Sequence, residues 1–283
     1  MGFITKLNLT TECYFGSQMS QYASMVGISK TTGLEPIMIH EYLQNGFGYF
    51  LDKPFVHKPK TISVGEIKDL VFHKASAEDI KIENYQFKLN KNLNYIVDDD
   101  MGMFSYFHSF RNEIIDMYTF NSEILSFSNN YLNSIRNKDE ILVSVCFRRG
   151  DYLTQASLNL SLNYYYDAIS VLETLIPNQK IKFVIFSGAA YGDTGMSWVK
   201  ENFKSPYECF YVENLDMFKQ MCIMSLCDHM IIANSSFPWW AAYLNKNEDK
   251  KVICPFKYVN DSRFDHIING KYFPKDWIAI ESI

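Results

Sequence analysis

The chain has 283 residues, 47% of them hydrophobic and 21% charged, a balance that excludes a disordered protein and suffices for two domains of ordinary size. A net charge of −5 argues against a general nucleic-acid binder but leaves room for a local basic site that holds a phosphate group. The six cysteines form no C-x-x-C pair and no zinc-spaced cluster with histidine, and are expected to be reduced thiols.

In chain order, the first half is the harder to divide. Its pattern predicts a helix over Gln18–Thr31, a polar Lys-rich middle, a strand at "NYIV" (94–97) and a helix near Glu113–Phe127. The second half has a clearer rhythm. "ILVSVCF" (141–147), "KFVIFS" (182–187) and "HMIIAN" (229–234) read as buried strands, with helices at 163–176, stopped by Pro177, and at 216–227 between them. That alternation predicts an α/β fold with a Rossmann-like parallel sheet in residues 140–283, and a first domain of residues 1–139 ending near Asn137–Glu140. The longest apolar runs fall short of the ~20 residues a membrane span needs. The start "MGFITK" has no signal-peptide core, so a cytoplasmic protein is expected, and Asn8, Asn159, Asn234 and Asn260 open only chance sequons.

Four stretches could carry chemistry. "FRRGD" (147–151) ends a buried strand with two guanidinium groups and a turn glycine, at the strand end where α/β sheets place ligands. Its bland reading is an arginine paired with Asp151, and the Arg149-Gly150-Asp151 tripeptide carries little weight as an adhesion signal. "IIANSSFPWWAAYL" (231–244) leads a strand through Asn234, Ser235 and Ser236 into a helix with Pro238 in its first turn, a place suited to an anion. Alone it is an ordinary N-cap; beside "FRRGD" in one sheet the two suit a diphosphate. "NYIVDDDMG" (94–102) sets Asp98, Asp99 and Asp100 after a strand, either a solvated turn or a manganese site. "FGSQMSQYA" (15–23) puts Ser17 and Gln18 at a helix start and is weak by itself.

Together these residues resemble the α-1,2-fucosyltransferases, glycosyltransferase family 11. "CFRRGDY" is similar to a family "H-x-R-R-G-D-Y", and "MSLCDHMIIANSSFPWW" to "M-S-L-C-x-H-x-I-I-A-N-S-S-F-S-W-W". Fainter matches join "GSQMSQYA" to "GNQMFQYA", "YFHS" (106–109) to "YFQS", and "FPKDWIAI" to "P-x-x-W-I-x-I", so the resemblance runs along the whole chain. It implies a GT-B architecture, two Rossmann-like domains facing across a cleft, that uses GDP-fucose as donor without a metal or other cofactor and inverts the anomeric centre. The second domain would bind the nucleotide sugar and the first a glycan acceptor.

The resemblance further implies that Arg148 faces the leaving diphosphate, with Ser235 and Ser236 donating from the helix end. Arg149 would brace the turn against Asp151. Asn234, Phe237, Ser17, Gln18, Cys146 and Asp216 complete the expected donor site. For the base that deprotonates the acceptor, His108 comes first, with Asp151 and Glu12 behind it. The chain departs from the family pattern at three places. Cys146 stands where a histidine is expected. "FSGAAYGDTGMSW" (186–198) replaces "FSDD…W", so guanine recognition is kept only if Asp193 has taken the role. Gln220 occupies an acidic position, with Asp216 one turn earlier on the same helix face. Two other classes compete: a metal-dependent GT-A transferase built on Asp98–Asp100, and a non-catalytic binder of nucleotide or glycan.

Overall fold

The computed structural model describes residues 2–5, 15–39, 54–58, 60–67, 70–75, 80–81, 86–87, 89–97, 104–188, 194–262 and 272–281. They form two compact units, Met1–Asn121 and Ser122–Ile283. The division falls after Asn121, ahead of the 137–140 stretch, because the helix over 122–135 packs on a helix of the second unit.

In the first unit, β1 (Phe3–Thr5) leads to helix α1 (Phe15–Thr32), then β2 (Glu35–Pro36) and β3 (Met38–Ile39). After β4 (Thr61–Ile62) and a single helical turn, α2 (Val64–Ile67), come β5 (Phe72–Ala75), β6 (Ile80–Lys81), β7 (Gln86–Phe87) and β8 (Asn94–Val97). Strands β2, β1, β8 and β5 form, in that order, a wholly parallel sheet, which is what a Rossmann-like unit requires. β3 pairs with β4 in parallel and β6 with β7 antiparallel. The strand expected at 94–97 and the helix expected over 18–31 are both present.

The helix expected near 113–127 is two helices, α3 (Arg111–Met117) and α4 (Ser122–Ile135). The break has a tertiary cause. Phe120 forms an antiparallel bridge with Phe55, the Asn121 N–H donates to the Pro54 carbonyl, and the Tyr118 hydroxyl donates to the Met19 carbonyl at 2.7 Å. Those long-range bonds draw residues 118–121 out of the helical path, which local helix preference is too weak to resist.

The second unit alternates strand and helix. β9 (Glu140–Arg148), α5 (Leu162–Leu175), β10 (Lys180–Gly188), α6 (Met196–Asn202), β11 (Glu208–Tyr211), α7 (Met217–Ser225), β12 (His229–Ile231), α8 (Ser236–Leu244), β13 (Val252–Pro255) and β14 (Ile278–Ile280) follow one another. The sheet is parallel throughout, in the order β11-β10-β9-β12-β13-β14. The chain builds outward from β9 to β10 and β11, then returns to the other side of β9 with β12. The order reverses between β9 and β12, and at such a switch point the loops leaving the carboxyl ends of the two strands diverge and open a crevice.

Alternation along β9 sorts its side chains. Val143, Val145 and Phe147 face α5 and α6, in a core with Tyr164, Tyr165, Ile169, Leu172, Val199 and Phe203, each large apolar side chain contributing roughly 1.5–3 kcal/mol on burial. The Phe147 ring stacks on Tyr165 at 4.0 Å and meets Phe203 edge-on at 5.1 Å. At the opposite, amino end of the sheet, Lys182 is buried between Glu140 at 3.1 Å and Glu208 at 3.3 Å and donates to the Ile135 carbonyl, a paired charge as burial demands.

Candidate active site

The site is built where β9 and β12 end. Gly150, with φ +57°, turns the chain straight from the strand into a 3-10 turn over Gly150–Thr154, and this turn returns Asp151 towards the strand end. The Arg148 Nη2 donates to Asp151 Oδ2 at 2.8 Å, with side chains only 13% and 7% exposed, and the guanidinium lies 4.9 Å over the ring of Tyr152. The Arg148 Nε is buried with no hydrogen bond among the described residues. A buried guanidinium with donors still unspent is a cation held ready for an anion.

Arg149 goes to the other face, as alternation requires. Its guanidinium lies 3.3 Å over the Trp198 ring of α6, its Nε is buried without a hydrogen bond among the described residues, and burial pushes its pKa below the ordinary arginine value. Gly195, at φ +74°, caps α6 directly beneath it, and a Cβ there would come within 2.9 Å of the Arg149 Cβ. The partner expected for Arg149, Asp151, is therefore taken by Arg148, because residues on opposite sides of a strand cannot both reach one turn. Arg149 braces α6 through Trp198 instead.

On β12's side, α8 begins at Ser236 with Ser235 as its N-cap in extended conformation, φ −139° and ψ 142°. Ser235 is buried, yet its hydroxyl makes no capping bond, so the N–H groups that open the helix are not satisfied by it. Ser236 and Phe237 are half-buried, and Pro238 occupies the first turn as expected. The Asn234 side chain works as a brace: its Nδ2 donates to the Leu158 carbonyl at 2.9 Å and the Tyr258 carbonyl at 2.7 Å. The Asn234 carbonyl accepts from the Tyr152 hydroxyl at 3.1 Å, joining the two loops directly.

Other expected residues have different surroundings. Cys146 is buried on β9, its thiol pushed up to about 12 by burial, with the Arg148 charge opposing that rise; it stays protonated at neutral pH. Asp216 is the N-cap of α7, its Oδ1 accepting from the Phe218 and Lys219 N–H groups at 3.0 Å and its Oδ2 paired with Lys219 Nζ. Desolvation raises its pKa, but these bonds outweigh it and hold the carboxyl below its ordinary value. Gln220 donates to the Leu215 carbonyl. In the first unit, Ser17 and Gln18 lie in the opening turn of α1, Gln18 buried and Ser17 half-buried. His108, half-buried on a short 3-10 turn, meets the Phe104 ring edge-on at 5.3 Å.

Asp98–Asp100, Glu12 and Asp193 lie outside the described residues. Among the described residues no group of histidine, cysteine and acidic side chains could hold a metal ion, five cysteines are free, and no helix is long and apolar enough to cross a membrane. Tyr152 and Trp198 were missed as site-forming residues although both sit inside the quoted motifs; an aromatic four residues after Arg148, or 49 residues after Arg149, gives no sign in sequence of which guanidinium it will meet.

Comparison with known proteins fits this geometry. The chain is 30% identical over 194 residues to the O-antigen biosynthesis glycosyltransferase WbnK of Escherichia coli, a match covering 62% of this chain and about 60% of that relative's length. It is 23% identical over 290 residues to galactoside alpha-(1,2)-fucosyltransferase 2 of Bos taurus, covering 94% of this chain and 76% of the relative. Among solved structures, NodZ alpha-1,6-fucosyltransferase soaked with GDP-fucose superposes with a TM-score of 0.55 at 17% identity, over 86% of this chain and 92% of that one, so the fold is the α/β, GT-B type expected. The model of glycosyl transferase family 11 matches residues 2–281, and the chain belongs to that family.

Proposed function

We propose that this protein is a GDP-fucose-dependent glycosyltransferase that moves L-fucose from GDP-β-L-fucose to O2 of a galactose in a glycan acceptor, inverting the anomeric centre. The observation that carries this reading is the pairing, at one topological switch point, of the buried Arg148 guanidinium after β9 with the start of α8 after β12, where the Ser235 side chain makes no capping bond. Family membership and the fucosyltransferase names of its relatives support the donor.

In the proposed reaction the acceptor hydroxyl oxygen forms a bond to fucose C1 while the C1–O bond to the β-phosphate breaks. GDP leaves with the electron pair, and the hydroxyl proton passes to a base, for which His108 is our first choice. Charge grows on the departing phosphate oxygen. Arg148 answers it with a fixed guanidinium, Ser235 and Ser236 with hydroxyls and helix-start N–H groups, and Asp151 keeps Arg148 in place. These groups supply positive potential from the chain itself, so the proposed mechanism runs without a metal.

The test is direct. Full-length protein is incubated with GDP-fucose and a terminal-galactose disaccharide, GDP release is followed, and the product linkage is read by NMR. An α-1,2-linked fucoside supports the proposal; GDP binding with no release, with or without acceptor, would instead mark a nucleotide-binding protein without turnover.

A further inference from the structure

Tyr152 is buried at the candidate site, outside the core cluster that β9 forms with α5 and α6. It is 8% exposed, and its ring carries the Arg148 guanidinium at 4.9 Å. Its hydroxyl, which burial keeps protonated, donates to the backbone carbonyl of Asn234 at 3.1 Å and also meets the hydroxyl of Tyr258. The Tyr258 ring lies 4.0 Å from that of Tyr272, tilted by 37°, and the Tyr272 carbonyl accepts from Trp239 Nε1 at 3.0 Å, on α8. One side chain thus touches both halves of the proposed diphosphate site: it lies against the cation after β9 and is bonded to the residue that precedes the Ser235 N-cap.

We infer that Tyr152 is a positioning residue for donor binding, holding Arg148 and the Asn234–Ser236 turn in the one geometry that meets a diphosphate, an inference that rests on the function proposed above. The physical case is preorganisation. The loops after β9 and β12 leave adjacent strands in different directions, and without a cross-link each would have to be ordered when the nucleotide binds. A hydroxyl donating to a carbonyl fixes their separation. The aromatic face fixes the height of the guanidinium, adding a second contact to its bond with Asp151.

The core offers a matched control. Tyr164 is also buried, and its hydroxyl donates to the Ile232 carbonyl at 2.6 Å, two residues before Asn234, but it belongs to the α5 core. GDP binding to the full chain is measured by calorimetry for wild type, Tyr152→Phe and Tyr164→Phe, beside their melting temperatures. Loss of one such hydrogen bond corresponds to roughly two- to tenfold in an equilibrium. Tyr152→Phe is expected to weaken GDP binding roughly fivefold, and Tyr164→Phe to lower the melting temperature with GDP affinity within about twofold of wild type. Combining Tyr152→Phe with Arg148→Lys should give losses in GDP affinity that do not add, since both act on one guanidinium.

Wild-type affinity for GDP in Tyr152→Phe, or equal losses in both tyrosine variants, would overturn the inference while leaving the proposed function standing. Folded wild type that fails to bind GDP would remove the proposed function and this inference together. Should Tyr152→Phe not fold, Tyr258→Phe removes the hydroxyl that meets Tyr152 from the far side; it is expected to weaken GDP binding about twofold or more, and unchanged binding would overturn the inference.

Discussion

Arg148 and Asp151, three residues apart across a glycine turn, are joined by a 2.8 Å bond between two nearly buried charged groups. The carboxylate holds Arg148 at the sheet's carboxyl end without using all of its donors, which is why the proposed function gives the anion to Arg148 and not to Arg149. A donor aimed at developing charge contributes roughly 100- to 1000-fold in rate, so Arg148→Ala is expected to lower kcat by at least that in protein that still folds, with a lower melting temperature because Asp151 loses its ion-pair partner. Arg148→Lys should recover part of the loss, since an ammonium keeps the charge without the planar fork. A kinetically normal Arg148→Ala would show that the strand end points elsewhere.

Arg149 should behave in the opposite way. Its stack on Trp198 contributes about 0.5–2 kcal/mol, so Arg149→Ala and Trp198→Ala should each lower the melting temperature by several degrees, with kcat changing less than for Arg148→Ala. Gly195→Ala combines a positive φ with a Cβ crowding Arg149 and should destabilise by roughly 1–3 kcal/mol. Thermal unfolding of the three variants beside steady-state kinetics checks the assignment.

The base can be assigned by a kinetic split. A general base contributes typically 100- to 10,000-fold, so His108→Ala should reduce kcat within that range while GDP affinity stays unchanged. Asp151→Asn should cost about tenfold or less, because an amide oxygen can still accept from Arg148. A loss beyond about 1000-fold in Asp151→Asn, with His108→Ala active, would transfer the role to Asp151.

Chelation separates the metal-free mechanism from one that uses manganese. With Arg148 and the start of α8 neutralising the diphosphate, EDTA is expected to leave fucosyl transfer unchanged, and Asp98, Asp99 and Asp100 should each tolerate asparagine. Activity lost to EDTA and restored by manganese would favour a cation held by those carboxylates.

His229 predicts a dependence of stability on pH. It is buried at the start of β12, and its Nδ1 accepts from the Lys251 N–H at 3.1 Å, which requires the neutral ring. Desolvation lowers its pKa, against opposing attraction from Asp228. A histidine whose folded pKa lies below its unfolded value of about 6.5 costs no stability above that pH. As pH falls through that value the unfolded chain takes up a proton that the folded one resists, and stability declines. The melting temperature of wild type should therefore drop more steeply below about pH 6.5 than that of His229→Gln. Parallel curves would show that His229 titrates alike in both states.

Some of this protein was written in local sequence. The apolar runs at 141–147, 182–187 and 229–234 read as buried strands of a parallel sheet, the last of them ending early at Ile231, the Arg-Arg-Gly-Asp run had to emerge where β9 ends, and Asn234-Ser235-Ser236 before Pro238 had to open a helix, because side-chain periodicity and capping chemistry act within a few residues. Three further strands of that sheet escaped the pattern. β11, β13 and β14 are three or four residues each, too short to show a period, and are strands because the neighbouring strands of the sheet supply their partners. The split of α3 from α4 came likewise from Phe55, Pro54 and Met19, distant residues that offered residues 118–121 better bonds than the helix did. In the site, sequence placed two arginines at one strand end, and tertiary structure alone decided that Arg148 takes Asp151 and Tyr152 while Arg149 takes Trp198. A strand's pleat sends neighbouring side chains to opposite faces, but which partners wait on each face depends on loops and helices that the pleat does not encode.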